Sequence, residues 1–93
     1  MMDQRKARID WLRQPPPART YSTVARFESI AERWPREAWS VVLDIPTPTH
    51  EGNSSIVGIR LLVGEDGPQE LLGAGSRFEL YEGTKCIARG EVL

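Results

Sequence analysis

The chain has 93 residues, enough for one domain with a modest core. Its composition, 40% hydrophobic and 27% charged, is too apolar for a disordered chain and too polar for a bundle of membrane-spanning helices. The net charge of −1 hides an asymmetry: residues 1–20 carry Arg5, Lys6, Arg8, Arg13 and Arg19 against only Asp3 and Asp10, so the rest of the chain is acidic.

Residues 1–19 read as a basic N-terminal arm. Ile9, Leu12 and Trp11 fall on one side of a helical wheel, which predicts a short helix over 3–13. Pro15-Pro16-Pro17 stops that helix and sets a stiff, extended connector. Met1 to Arg13 has no apolar run of the kind an export signal needs. The single cysteine, Cys86, excludes an internal disulfide. The expectation is a reduced, cytoplasmic protein that does not enter a membrane.

Residues 20–93 read as a single β-barrel domain. Tyr21, Thr23, Ala25 and Phe27 alternate along the first strand of this body. A helical turn follows near 28–34, with Ile30 and Trp34 four apart, and Pro35 ends it. Trp39, Val41, Leu43 and Ile45 share the inner face of the next strand. A polar loop, Thr47 to Ser54, holds the only histidine, His50. Val57, Ile59, Leu61 and Val63 form the inner row of the next strand, and Gly64 to Pro68 is a turn. Leu71 and Leu72 are expected to tuck under the loop from Gln69 to Gly75. Arg77 to Tyr81 and Lys85 to Leu93 make a closing hairpin around Glu82-Gly83-Thr84. Phe78 and Leu80 are assigned to its interior, as are Cys86, Ala88, Gly90 and Val92, while Lys85, Ile87, Arg89 and Glu91 are assigned to solvent. A row of small side chains suits a closed, strongly curved sheet, so the fold class is mainly β, a small antiparallel barrel.

The closing hairpin, Gly75 to Val92, resembles that of the C-terminal β-barrel of elongation factor Tu and related translation GTPases. Arg77-Phe78, Glu82-Gly83, Ile87, Gly90 and Val92 carry the likeness. The resemblance implies a translation-factor-like closed barrel. It implies no GTPase activity, because no G-x-x-x-x-G-K-[ST] loop is present, and no binding residue carries over from it.

No constellation assembles a catalytic centre. One histidine and one cysteine cannot supply a structural zinc site, and no cofactor motif occurs. A Ser54 or Ser55, His50 and Asp44 set has no nucleophile elbow. Cys86 is expected inside, as an inert thiol. Glu79, Glu82 and Glu91 alternate with Arg77, Lys85 and Arg89 in the pattern of cross-strand charge pairs on a solvated face. The candidate partner-binding residues are Arg8, Trp11, Arg13, Arg19 and Trp34, since tryptophan and arginine are enriched where partners bind; the alternative readings are that the tryptophans fill the small core and that the basic arm is a solvated tail. The functional expectation is a non-enzymatic protein-binding module, with an immunity- or inhibitor-like role suggested by acidic charge. An accessory RNA-binding role in translation is the alternative, drawn from the basic arm and the resemblance, and a small hydrolase is the least favoured. Nucleic acid is the less favoured partner, because the pI of about 5.8 lacks the expected basic footprint.

Overall fold

A computed structural model describes residues 5–16, 19–46 and 53–93. His50 and most of its loop, and Pro17 of the connector, lie outside the described residues. Six strands form the sheet: β1 (Arg5–Trp11), β2 (Thr20–Phe27), β3 (Trp39–Asp44), β4 (Ser54–Leu61), β5 (Arg77–Glu82) and β6 (Lys85–Val92). They close into an antiparallel barrel in the order β1-β4-β3-β2-β5-β6, with β6 returning to β1. Every strand therefore has two hydrogen-bonded neighbours, which removes the free edges through which small sheets add strands or aggregate.

The helix expected over 3–13 is instead β1, and the segment is not an arm outside the barrel. It bonds to β4 on one side and β6 on the other. The governing period is two: Ala7, Ile9 and Trp11 are buried, while Lys6 and Arg8 are exposed and Asp10 half-buried between them. Leu12, which supported the helical wheel, is 54% exposed. A seven-residue segment gains little as an isolated helix, whereas as a strand it closes the sheet and fills the core. The 3-10 turn Glu28–Arg33 appears where the helical turn was expected.

The interior follows the alternation of the remaining strands. Thr23, Ala25 and Phe27 from β2, Val41 and Leu43 from β3, Val57, Ile59 and Leu61 from β4, and Phe78 and Leu80 from β5 are all buried. Leu71 and Leu72, on the 3-10 turn Gln69–Leu72, belong to the same core. They close the end of the barrel where β1 begins, and Arg5 donates to the Leu72 carbonyl at 3.0 Å. Val63 departs from the expected inner row: β4 ends at Leu61, and Val63 is 54% exposed.

One register irregularity corrects the facing of the last strand. Leu80 pairs with Ala88, but Tyr81 pairs with Cys86, so Ile87 is the extra residue of a β-bulge. Beyond the bulge the alternation flips. Ile87 is buried at 1% exposure, although the strict period assigns it to solvent. Cys86, expected in the interior row, lies half-buried instead. Ala88, Gly90 and Val92 keep their inward places. At Gly90 a Cβ would stand 2.4 Å from the Phe78 ring and 2.9 Å from Ile9 Cδ1. The absent side chain leaves room for that ring, which also packs on Phe27, its partner on the neighbouring strand β2, with centroids 5.6 Å apart.

Candidate functional site

The register of β2, β5, β6 and β1 builds one charged face from residues far apart in sequence. Arg77 lies opposite Glu91, and Glu91 opposite Arg8. In the next row Arg26 faces Glu79, Glu79 faces Arg89, and Arg89 faces Asp10. Because outward positions alternate, each of these side chains points away from the core. Together with Glu28 at the rim they border a groove of about 400 Å³, floored by Phe78 and Gly90.

Ion pairing within this face is loose. Glu91 stands 3.6 Å from Arg8 and 3.9 Å from Arg77, and Glu79 stands 3.2 Å from Arg26 and 3.8 Å from Arg89. Of the four guanidiniums, that of Arg26 alone donates a hydrogen bond to a described residue, Glu79 Oε1. The carboxylates are more fully engaged. Glu79 also accepts from the Tyr81 hydroxyl at 3.1 Å, and Asp10 accepts from Ser54 Oγ at 2.6 Å and lies 3.7 Å from Arg8. The charges are also layered by height. The side chains of Arg77 and Arg89 are 66% and 69% exposed, those of Arg8 and Asp10 48% and 50%, and those of Glu79 and Glu91 29% and 34%. Among these ion-paired groups the outermost charges are the guanidiniums of Arg77 and Arg89.

A second polar cluster sits at the opposite end of the barrel from Leu72. Arg13 grips Glu82 through both guanidinium nitrogens, at 2.6 Å each. The Tyr21 hydroxyl also donates to Glu82. The Arg13 and Tyr21 hydrogen bonds hold the Glu82 carboxyl below its ordinary range. Partial burial, then the bond to Glu82, raises the Tyr21 phenol, and the carboxylate raises Arg13. The three groups satisfy one another and staple the residues after β1 to the start of β2 and the β5–β6 turn.

The five sequence-selected residues are scattered. Arg8 belongs to the charged face. Arg13 is spent on Glu82. Trp11 is a core residue at 3% exposure, its indole N–H donating to Ser55 Oγ at 3.2 Å, so it offers no anchor to a partner. The cause is the strand parity of β1, which turns Trp11 inward beside Ile9. Arg19 is exposed just before β2, where its carbonyl accepts from Ile45 N. Trp34 is half-buried against Tyr81, ring centroids 5.0 Å apart, and it is the Tyr81 hydroxyl that donates to Glu79 of the charged face. Sequence reasoning placed Arg77 and Arg89 on a solvated face but did not single them out, and it passed over Arg26. Their alternating positions were the available signal, and the pairing of β5 and β6 with β1 and β2 gives that signal its meaning.

Among the described residues no group of three or more His, Cys, Asp or Glu is placed to hold a metal ion, and no helix is long and apolar enough to cross a membrane. No protein-family model, curated protein or solved structure matches the chain.

Proposed function

We propose that this chain is a non-catalytic, cytoplasmic protein-binding module that meets its partner with the outer face of β2, β5, β6 and β1. The observation that carries the reading is the set of three loosely paired arginines on that face, with Arg77 and Arg89 standing above Glu79 and Glu91. Arginine presents a planar fork of donors and is enriched at protein interfaces. A non-catalytic reading is supported by the groups with shifted titration among the described residues, Arg13, Tyr21, Tyr81 and Glu82, which lie on exposed or half-exposed surface and are bonded to protein partners. Charged outward rows are the reverse of a lipid-facing band, which favours an aqueous setting. The hairpin geometry supports a translation-factor-like barrel as part of the same reading: Gly83 has a φ of 61° in a two-residue turn, and Gly90 receives Phe78. For an inhibitor-like role this face favours an acidic target surface rather than the basic one that net charge alone suggests.

The test is affinity capture from lysate with wild-type and R8A/R77A/R89A bait, each with and without nuclease. Circular dichroism first establishes that the triple variant is folded, as expected for three exposed side chains. A stoichiometric protein that survives nuclease and is lost with the triple variant supports the reading. Capture that disappears with nuclease replaces it with the accessory RNA-binding role. Capture that the triple variant retains moves the interface off this face.

A further inference from the structure

We infer that the groove over Gly90 takes an acidic peptide segment of the partner, whose carboxylates bind Arg8, Arg77 and Arg89. This rests on the reading that the face is a protein-binding surface and adds the chemistry of what occupies it. The argument is one of unused hydrogen-bonding capacity. Each guanidinium has five N–H donors arranged as a fork that fits a carboxylate. The guanidiniums of Arg8, Arg77 and Arg89 donate no hydrogen bond to a described residue, and their nearest carboxylates are 3.6 to 3.9 Å away. Arg13 shows what this chain achieves when a guanidinium is fully engaged, with two contacts of 2.6 Å on one carboxylate. The acceptors beneath the three arginines are already shared: Glu79 serves Arg26, Arg89 and Tyr81, and Glu91 lies between Arg8 and Arg77. The deficit on the face is therefore of acceptors, and at Arg77 and Arg89 it lies in the most exposed layer.

A segment carrying a few carboxylates fits this deficit better than a continuous polyanion does. Glu79, Glu91, Asp10 and Glu28 line the same groove as the four arginines. A phosphate backbone tracking across the face would pass all four carboxylates, and the chain as a whole carries a charge of −1. Nucleic-acid affinity grows with the number of phosphates neutralised, and here each guanidinium has a competing carboxylate at hand. A short acidic segment places its carboxylates only where guanidinium forks are open, which is how arginine clusters recognise acidic motifs.

The experiment measures fluorescence anisotropy of a fluorescein-labelled Glu/Asp-rich peptide with the full chain, beside a Lys-rich peptide and a uniform single-stranded RNA. The acidic peptide binds at low salt, weakens as salt rises, and loses at least about tenfold in affinity with R8A/R77A/R89A. Glu79→Gln removes the internal competitor and tightens the acidic peptide by about threefold, the worth of one exposed ion pair. Glu28→Gln, at the rim, acts in the same direction and serves if E79Q disturbs the fold. An acidic peptide that does not bind, that binds the triple variant equally, or that weakens with both glutamine variants overturns the inference. RNA binding tighter than the peptide and dependent on the same arginines overturns it in favour of a nucleic acid. If lysate capture depends on the arginines while the peptide is silent, the protein-binding surface stands and only the acidic occupant falls. If neither depends on them, both fall.

Discussion

Gly90→Ala tests the packing that closes the barrel with a single carbon atom. The added Cβ would sit 2.4 Å from Phe78 Cε1 and Cζ and 2.9 Å from Ile9 Cδ1, well inside the ~3.5–4.0 Å optimum for carbon contacts. Phe78 has little room to withdraw, because its ring is 3% exposed and packs against Phe27, itself 1% exposed. Relief therefore requires the β5–β6 pair to spread or the ring to leave its rotamer. Overpacking of this kind costs about 1–3 kcal/mol, and the depth of the overlap places G90A at the upper end. For a domain of this size about 2–3 kcal/mol lowers Tm by roughly 10–20 °C. The assay is urea unfolding followed by tryptophan fluorescence, with thermal melts by circular dichroism as the second probe. The F78L/G90A double variant supplies the internal check. Leucine lacks the two ring atoms that clash, so the double variant is more stable than the sum of the single changes by at least about 1 kcal/mol, as expected for residues in contact. G90A within about 0.5 kcal/mol of wild type would show that the ring does not occupy this space, and the account of barrel closure would be wrong. Additive single and double changes would mean that the cost arises from the backbone rather than from Phe78.

Three further predictions concern other parts of the fold. Trp11→Ala removes a core side chain and the bond to Ser55, so it costs about 3–5 kcal/mol in urea unfolding; an unchanged midpoint would mean that β1 does not close the barrel. Ile87→Ala costs about 2–4 kcal/mol while Cys86→Ser costs less than about 1 kcal/mol, and the reverse order in the same assay would place the bulge elsewhere. The lowered carboxyl of Glu82 is a group whose folded-state stabilisation is present above its ordinary value of 4.5 and is lost as pH falls through the lower folded value. Glu82→Gln therefore flattens the fall in Tm below about pH 4.5, and equal slopes for the two proteins would show that the staple with Arg13 and Tyr21 does not form in solution.

Much of the barrel was legible because its interior is written at a period of two. β2, β3, β4 and β5 each show inward apolar residues at alternate positions, and the burial of Ala25, Leu43, Ile59 and Leu80 follows directly. β1 was misread because three apolar residues, Ile9, Trp11 and Leu12, satisfy a helical face as well as a strand face over so short a span. Partners elsewhere in the chain decide between the two. Ala7 pairs with Val57 and with Val92, roughly fifty and eighty-five residues away in sequence, and no local pattern carries that information. Cys86 and Ile87 were reversed for a related reason. A bulge inserts one residue and flips the alternation, and nothing in Lys85-Cys86-Ile87-Ala88 announces it.

The charged face shows why function was harder to read than fold. Arg8 was singled out as part of a basic arm, beside Trp11, Arg13 and Arg19, on the premise that nearness in sequence means nearness in space. Closure separates them: Trp11 turns into the core, Arg13 crosses to Glu82, and Arg8 joins Arg77 and Arg89 from the other end of the chain. The excess of positive charge in residues 1–20 is therefore not a patch. The three arginines that do form a layer come from a basic segment and an acidic one, and their carboxylate neighbours cancel them in any sequence-wide sum. What distinguishes the face is height and pairing distance rather than net charge. Arg77 and Arg89, about two-thirds exposed, stand over Glu79 and Glu91, about one-third exposed, while Arg8 and Asp10 are level at about half. A partner that approaches this surface meets donors first, and its affinity depends on whether it brings the acceptors that Glu79 and Glu91 cannot supply to all of them.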